Sequence, residues 1–294
     1  MSEGKNAPVW LDNKNFVLCL THDVDRVKKT YQYLTHFVKN KDAYHLKSFF
    51  IREREPYWNF EKIIEIEKKH DVKSTFFFLN ESKKFDILHP RKWPLSLGRY
   101  DFHDEKIAGI IQKLHANGWE IGLHGSYESY RNKDLLKKEK EELEEIVGGD
   151  IVGIRQHYLN LENKKTWKFQ QEVGFRYDAT FGFRTKIGFR DNKYLPFHPF
   201  NNSAFLVIPL TIMDSALFDS SEDLNDAWKM CKMLIEQTEK QRGLLTVLWH
   251  QRVFNEKEFP GWSKIYEKII MESKKRNAWI GMCREVYEKF QGGL

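Results

Sequence analysis

Residues 15–25 read Asn15-Phe-Val-Leu-Cys-Leu-Thr-His-Asp-Val-Asp25, an apolar strand pattern that ends abruptly in ionisable side chains. A strand in a protein core has no structural need for His22, Asp23 and Asp25 so close together. An unpaired buried carboxylate costs on the order of several kcal/mol, which is a large share of a domain's net stability. These charges therefore require a metal ion, a basic partner, or solvent at the rim of a sheet.

The composition indicates a folded protein with a sizeable core. The chain has 294 residues, of which 41% are hydrophobic and 15% aromatic, and this is enough for one large α/β domain. No apolar run reaches the roughly 20 residues of a membrane span, and the N-terminus lacks a signal-peptide pattern. We therefore expect no transmembrane segment and a cytoplasmic location. Cys19, Cys231 and Cys283 are isolated in apolar contexts, which predicts core residues rather than disulfides or a metal site.

The charge pattern does not predict a nucleic-acid-binding protein. The net charge of +6 comes from 48 basic and 42 acidic residues, and the lysines alternate with glutamates, as in residues 137–145. This mixture is typical of a solvated helix face.

Strand and helix patterns alternate along the whole chain. This alternation favours βαβ units, and hence an α/β fold with a parallel sheet or a barrel. No linker or repeat divides the sequence, so we predict a single domain over 1–294. Insertions are expected near 26–57, over the end of the sheet that carries the charged cluster, and near 178–203, where a long aperiodic stretch suggests a functional loop. Either insertion could act as a lid. The predicted strands are 16–21, 72–79, 119–123, 152–155, 204–209, 244–249 and 278–281.

Polar side chains follow several of these strands at the point where each strand ends. The carboxyl ends of parallel strands meet at one face, so we expect these groups to converge. Carboxylate and imidazole ligands suit a divalent metal, with zinc the expected ion, and such an ion lowers the pKa of bound water towards about 7. Asp23 and Asp25 are two residues apart and point the same way, so that one can bind metal while the other takes a proton. The other strand-end groups are His124, Ser126, Glu128, Arg155, His157 and His250.

Four motifs occur in this order along the chain: Thr21-His-Asp-Val-Asp25, Glu120-Ile-Gly-Leu-His-Gly-Ser-Tyr127, Arg155-Gln-His-Tyr158 and Leu248-Trp-His250. Together they resemble the motifs of the polysaccharide deacetylase family, also called the NodB homology domain or carbohydrate esterase family 4. The similarity runs from about Phe16 to Phe290, with a divergent first motif. It implies a distorted (β/α) barrel of about seven parallel strands with surrounding helices. It also implies a metal-dependent hydrolase that removes an N-acetyl group from a sugar unit of a glycan or glycan precursor in cell-surface polysaccharide synthesis.

The resemblance also implies roles for individual residues. Asp23 matches the catalytic base, and Arg155 matches the arginine that orients this base. Asp25 and His124 match metal ligands, and Tyr158 matches the position whose backbone N–H stabilises the oxyanion. His250 matches the general acid, and Asp178 matches the acidic residue beside that acid. Arg190 and Trp249 are the predicted substrate contacts, Arg190 for an anionic group and Trp249 for a sugar face.

The sequence departs from the family pattern at the third metal ligand. The family carries a second histidine four residues after the first, but Glu128 stands there. His157 is the first candidate for the vacant role, Glu128 the second and His22 the third. Two other functions stay open: hydrolysis of another non-peptide C–N bond in a small amide or ureide, and a catalytically silent sugar-binding protein.

The same residues also have purely structural interpretations. Asp23 and Asp25 could be rim residues or could cap a helix after Asp25. His124 could be a hydrogen-bonded turn residue, and His250 could be a buried residue at a strand end. The ordered set of motifs favours the functional interpretation over these.

Overall fold

A computed structural model of the chain describes residues 13–40, 44, 55–81, 88, 93–201 and 204–292. Within these residues nine strands form one sheet, and every pairing between them is parallel. The strands are β1 Val17–Val24, β2 Thr75–Leu79, β3 Glu120–Gly125, β4 Gly153–Gln156, β5 Tyr177–Asp178, β6 Leu206–Val207, β7 Ile212–Met213, β8 Leu244–Leu248 and β9 Trp279–Gly281.

The sheet curls until its two outer strands lie close together. Its order is β6-β5-β4-β3-β2-β1-β8-β7, with β9 also paired to β1. The short connection between β6 and β7 forms hydrogen bonds with strands on both sides of the seam. Ile208 N donates to Asp178 O of β5 at 2.8 Å, and Thr211 N donates to Thr246 O of β8 at 3.0 Å. Pro209 has no N–H to donate, and it lies where the ladder is interrupted. The predicted distorted (β/α) barrel is therefore confirmed, with an imperfect seam at this segment.

Helices cover the outside of the barrel, and the longer ones bury one apolar face each. The helix over 105–116 is typical: Ile107, Ile111 and Leu114 are buried on one face, and the side chain of Asp104 caps the first turn by accepting from Lys106 N. The spacing of three and four residues is that of an amphipathic helix. The helices are α1 Gln32–Asn40, α2 Phe60–Lys69, α3 Trp93–Ser96, α4 Glu105–Ala116, α5 Lys133–Val147, α6 Lys164–Val173, α7 Asp214–Ser220, α8 Leu224–Gln241, α9 Trp262–Lys275 and α10 Cys283–Gly292.

All seven predicted strand segments contain a strand, and β5 and β7, each only two residues long, are additional. The predicted insertion at 26–57 contains α1, while residues 41–43 and 45–54 of it lie outside the described residues. Residues of both predicted insertions line the cavity at the carboxyl ends of the strands, among them Tyr31 and Arg184. The cysteines are buried and not disulfide-bonded. In the described part of the chain, no helix combines the length and apolar character that a membrane span requires.

Candidate active site

A cavity of about 540 Å³ lies at the carboxyl ends of the barrel strands. Strand alternation explains which side chains reach it: Thr21, Asp23 and Asp25 share one side of β1 and its continuation, whereas His22 points the other way. The structure thus brings together predicted residues from strands far apart in the sequence. Those lining the cavity are Asp23, Asp25, His124, His157, Tyr158 and His250.

Asp23 is held by an arginine that is itself completely buried. Arg155 Nη1 donates to Asp23 Oδ1 at 2.8 Å and to Thr21 Oγ1 at 2.9 Å, while its Nε donates to Ala179 O at 2.9 Å. The guanidinium also lies 4.6 Å from the ring centre of Phe77. One carboxylate oxygen of Asp23 is thereby fixed, and the other, Oδ2, faces His124 Nε2 at 3.6 Å.

Asp25, His124 and His157 form a group that can hold a metal ion. Each offers one ligand atom, and these atoms all lie within 4.8 Å of one another. Asp25 Oδ1 lies 3.3 Å from His124 Nε2 and 3.9 Å from His157 Nε2. It is buried and has no hydrogen-bond partner within the described part of the chain. Two imidazoles next to a buried carboxylate oxygen that lacks a hydrogen-bond donor fit a divalent ion such as zinc.

The histidines present suitable nitrogens to such an ion. A carbonyl oxygen only accepts, so His124 Nδ1, which lies 2.9 Å from Arg155 O, carries the proton and leaves Nε2 free as a ligand. Burial lowers the pKa of His157, which keeps its imidazole neutral. Burial also tends to lower the pKa of His124, but Asp23 and Asp25 raise it above its ordinary value, as expected where two carboxylates favour a cation.

The second oxygen of Asp25 is engaged elsewhere. Arg252 Nη1 donates to Asp25 Oδ2 at 2.8 Å, and His250 Nε2 lies 3.5 Å from the same oxygen. Burial alone would raise the pKa of Asp25, but His250, His124 and Arg252 hold it well below its ordinary value. Asp25 is therefore a carboxylate with a single oxygen free for a metal.

His250 has an acidic partner that the sequence analysis assigned to the wrong residue. His250 Nδ1 donates to Asp214 Oδ1 at 2.8 Å, and its backbone N donates to Asp214 Oδ2 at 2.6 Å. Burial opposes protonation, but Asp214 raises the pKa of His250 above its ordinary value. Asp178 instead accepts from Trp167 Nε1 at 3.1 Å and Gln170 Nε2 at 2.9 Å. The only signal for Asp214 was an acidic residue just after the apolar run that contains β7.

The two other candidates for the third ligand lie outside the cluster. His22 is buried on the opposite side of β1, with Nδ1 donating to Trp249 O at 2.7 Å and Nε2 lying 3.0 Å from Glu67 Oε1. Glu128 turns away in the loop after β3 and accepts from Arg131 Nε at 2.8 Å. Of the three candidates, His157 is the one that the fold places beside Asp25 and His124.

The two predicted substrate contacts do not line the cavity. Trp249 is 0% exposed and packs edge-on against Phe218, with ring centres 5.9 Å apart, so its ring has no face for a sugar. The Arg190 guanidinium lies 4.5 Å from the Phe181 ring and donates to Gly182 O at 3.2 Å. The neighbouring groups Arg184 and Trp262 line the cavity instead.

Tyr158 lies in a tight turn directly after His157. Its φ of 57° and the φ of 51° at Leu159 are both left-handed, a backbone region that costs roughly 1–2 kcal/mol per non-glycine residue. The side chain is 39% exposed and lines the cavity. This turn ends β4 abruptly and leaves His157 close to Asp25 and His124, with Tyr158 next to it in the cavity wall.

Comparisons with known proteins agree with this architecture. No protein-family model and no curated protein matches the sequence. Among solved structures, the chain is similar to one described as a polysaccharide deacetylase from Mycobacterium smegmatis. The identity is 17% and the TM-score 0.64, over 96% of this chain and 92% of that one. A second, described as a polysaccharide deacetylase from Pseudomonas aeruginosa PAO1, gives 14% identity and a TM-score of 0.61, over 95% and 92%.

Puue allantoinase is also similar, with 14% identity and a TM-score of 0.66 over 99% of this chain and 98% of that one. At these identities the similarity establishes the fold, and the fold is shared by enzymes named for different substrates. The ordered motifs of the sequence agree with it. The chain has the fold of the polysaccharide deacetylases, with Thr21-His-Asp-Val-Asp25 as a divergent first motif.

Proposed function

We propose that this chain is a metal-dependent hydrolase that removes the N-acetyl group from a sugar unit of a glycan or glycan precursor in cell-surface polysaccharide synthesis. One observation carries the proposal: a buried carboxylate held by Arg155 and a histidine held by Asp214 flank a group of side chains that can hold a metal ion, all in one cavity. Asp23 and His250 are the two flanking groups. A base and an acid on either side of a metal site suit metal-assisted hydrolysis of an amide.

Asp25, His124 and His157 would hold the ion, and zinc is the expected one because the donors are imidazole and carboxylate. When bound, the ion polarises the amide carbonyl and lowers the pKa of a water molecule.

The other residues handle protons and charge. Asp23 Oδ2 accepts the proton of the attacking water, while Arg155 keeps Oδ1 in place. The backbone N–H of Tyr158 donates to the acetyl oxygen as negative charge develops there. His250 Nε2 protonates the sugar nitrogen as the C–N bond breaks, and Asp214 keeps the proton on Nδ1. The products are acetate and the free amino sugar.

The sugar ring would rest on the aromatic side of the cavity. Trp262 lines it and is stacked on Phe218, with ring centres 3.8 Å apart, which fixes the orientation of the indole. Tyr31 and Tyr57 also line the cavity. Aromatic faces of this kind suit the apolar face of a sugar. We therefore assign to Trp262 the role that the sequence analysis gave to Trp249.

The test measures acetate release from N-acetylhexosamine oligosaccharides by chelator-treated protein, with and without added zinc. Asp23→Asn is expected to lose activity about 10²–10⁴-fold, as when a general base is removed. Asp191→Asn is the control, because Asp191 is an exposed residue outside the cavity. Undiminished zinc-dependent turnover by Asp23→Asn would sink the proposal.

A second candidate is hydrolysis of another non-peptide C–N bond, in a small amide or ureide. It is supported by the similarity to Puue allantoinase, which has the same fold. A panel containing allantoin and N-acetylhexosamine oligosaccharides separates the two candidates. The third possibility, a silent sugar-binding protein, is less consistent with the intact Asp25–His124–His157 group. Stoichiometric metal in the purified protein would count against it.

A further inference from the structure

The two histidines of the metal-ligand cluster are held differently at their second nitrogens. His124 Nδ1 donates to Arg155 O at 2.9 Å, which fixes its ring. His157 Nδ1 is buried and has no hydrogen-bond partner within the residues the structure describes. A ligand histidine almost always donates its other N–H to a carbonyl or a carboxylate. His157 therefore needs an acceptor, and the structure offers one.

A carboxylate oxygen, Glu81 Oε2, lies 3.7 Å from His157 Nδ1. This exceeds hydrogen-bond length by about 1 Å. A cavity of about 10 Å³ lined by Asp25, Glu81 and His157, among others, gives the two groups room to approach. A shift of about 0.5–1 Å in either side chain would bring Nδ1–H within hydrogen-bond distance of the carboxylate.

Glu81 is anchored where such a partner should be. It is 7% exposed and follows β2, in which Leu79 is paired with His124 of β3. Its Oε2 accepts from Tyr127 N at 3.0 Å, and its backbone oxygen accepts from Arg99 Nη1 at 2.9 Å. Glu81 therefore contacts the turn that follows His124, and its carboxylate faces His157.

We propose that Glu81 is the positioning residue for His157. In the metal-loaded protein, His157 Nδ1–H donates to Glu81 Oε2, and this bond aims Nε2 at the ion. The inference rests on the proposed metal-dependent function and deepens it. The residue four positions after His124 is Glu128, which is bonded to Arg131 outside the cluster. His157, directly after β4, would supply the missing imidazole instead, and Glu81, just after β2, would hold it in place.

The test measures zinc affinity by competition with a chromophoric chelator, independently of turnover. Glu81→Gln is expected to weaken zinc binding about 10–100-fold, and Glu81→Asp to recover part of the loss. Glu139→Gln is the matched control. Glu139 is also buried and its Oε2 accepts from the adjacent amide, Ser126 N, at 3.1 Å. It supports the same turn but forms no contact with His157, so zinc affinity should stay within about twofold of wild type.

A double-mutant cycle separates positioning from a general structural effect. If Glu81 acts through His157, Glu81→Gln should cause no further loss of zinc affinity in a His157→Ala background. Unchanged zinc affinity in Glu81→Gln, or an equal loss in both backgrounds, would overturn the inference and leave the proposed function standing. Failure of wild-type protein to bind zinc would overturn both.

Discussion

At the scale of single residues, Arg155 is the side chain on which the site depends most. It is fully buried and ties together β1 and the segment after β5, through Asp23 and Ala179. A buried ion pair is costly to desolvate, and removing one partner leaves the other as an uncompensated charge. Arg155 therefore contributes to folding as well as to the orientation of Asp23.

We predict that Arg155→Ala lowers the free energy of unfolding by about 3–5 kcal/mol, because Asp23 is left buried without its partner. Urea denaturation measures the change. Arg176→Ala is the control: its pair with Asp150 is about half exposed on both sides, and its loss should cost no more than about 1 kcal/mol. Similar losses in the two variants would contradict the structural assignment.

The pair of His250 and Asp214 predicts how activity depends on pH. Because Asp214 raises the pKa of His250 against the effect of burial, Asp214→Asn should lower that pKa. His250, the proposed general acid, is then deprotonated at lower pH, so the alkaline limb of kcat/KM should move to lower pH in this variant. Asp178→Asn, whose carboxylate is bonded to Trp167 and Gln170 instead, should leave the limb in place. A limb that does not move in Asp214→Asn would exclude His250 as the acid.

The same pair contributes to stability over a limited pH range. The raised pKa of His250 gives stability that is complete below the imidazole's ordinary pKa and is lost as pH rises through the folded value. Burial tends to raise the pKa of Asp214, but His250 lowers it, so the contribution of Asp214 is present above its ordinary value and is lost as pH falls through the folded value. The pair therefore contributes most to the stability of the fold at pH values between the pKa of Asp214 and the pKa of His250.

At the scale of helices and strands, the sequence predicted long elements well and very short ones poorly. The periodicity of α4 or of the apolar β1 decides their structure locally. A two-residue strand such as β7 has no period, because only its pairing to β8 defines it. This is why Asp214, at the end of β7, was missed and Asp178 was assigned to its role.

The same limit applies to side chains whose role depends on distant partners. The sequence makes His157 a candidate because it ends a strand within a motif, at a position where the family that the motifs resemble usually has proline. Glu81 has no sequence signal, since its relation to His157 exists only after β2 and β4 are placed in the barrel. The position of Trp249 beside His250 suggests a contact with a sugar, but side chains alternate along the strand, and that of Trp249 points into the core.

A buried polar network joins β1 to two helices and gives an element-scale prediction. Glu67 of α2 accepts from Tyr266 Oη at 2.7 Å and Trp119 Nε1 at 2.6 Å, and it lies 3.0 Å from His22 Nε2. Glu67→Ala leaves Trp119 Nε1 without its acceptor, while Tyr266 Oη and His22 Nε2, which lie 3.2 Å apart, can still bond to each other. We therefore expect a loss of roughly 1–3 kcal/mol in unfolding free energy. Urea denaturation tests this, with the exposed Glu65→Ala on the same helix expected within about 0.5 kcal/mol of wild type. A small loss for Glu67→Ala would mean that the network adds little.

At the scale of the whole molecule, the proposed metal ligands couple ion binding to global stability. An ion that binds the folded state alone stabilises it by about 2.7 kcal/mol at a free concentration 100 times its Kd. In a chain of 294 residues, whose unfolding entropy is about 0.6 kcal/mol/K, such a gain should raise Tm by about 4–5 °C. Differential scanning calorimetry of chelator-treated protein, with and without zinc, measures the shift. His157→Ala should reduce the shift at the same zinc concentration, and an equal shift in both proteins would place the ion elsewhere.

The position of β1 in the barrel has a consequence for how this chain is made. β1 is the earliest strand in the described sequence, yet it pairs with β8 and β9, and the bond from Thr21 Oγ1 to Val247 O spans 226 residues. At a synthesis rate of roughly 5–20 residues per second, these partners emerge from the ribosome on the order of ten to forty seconds after β1 does. During that interval an apolar strand has an open edge, which is a site for mispairing with another nascent chain. Slow synthesis should therefore favour aggregation of this protein, and chaperones that shield its N-terminal third should favour its yield.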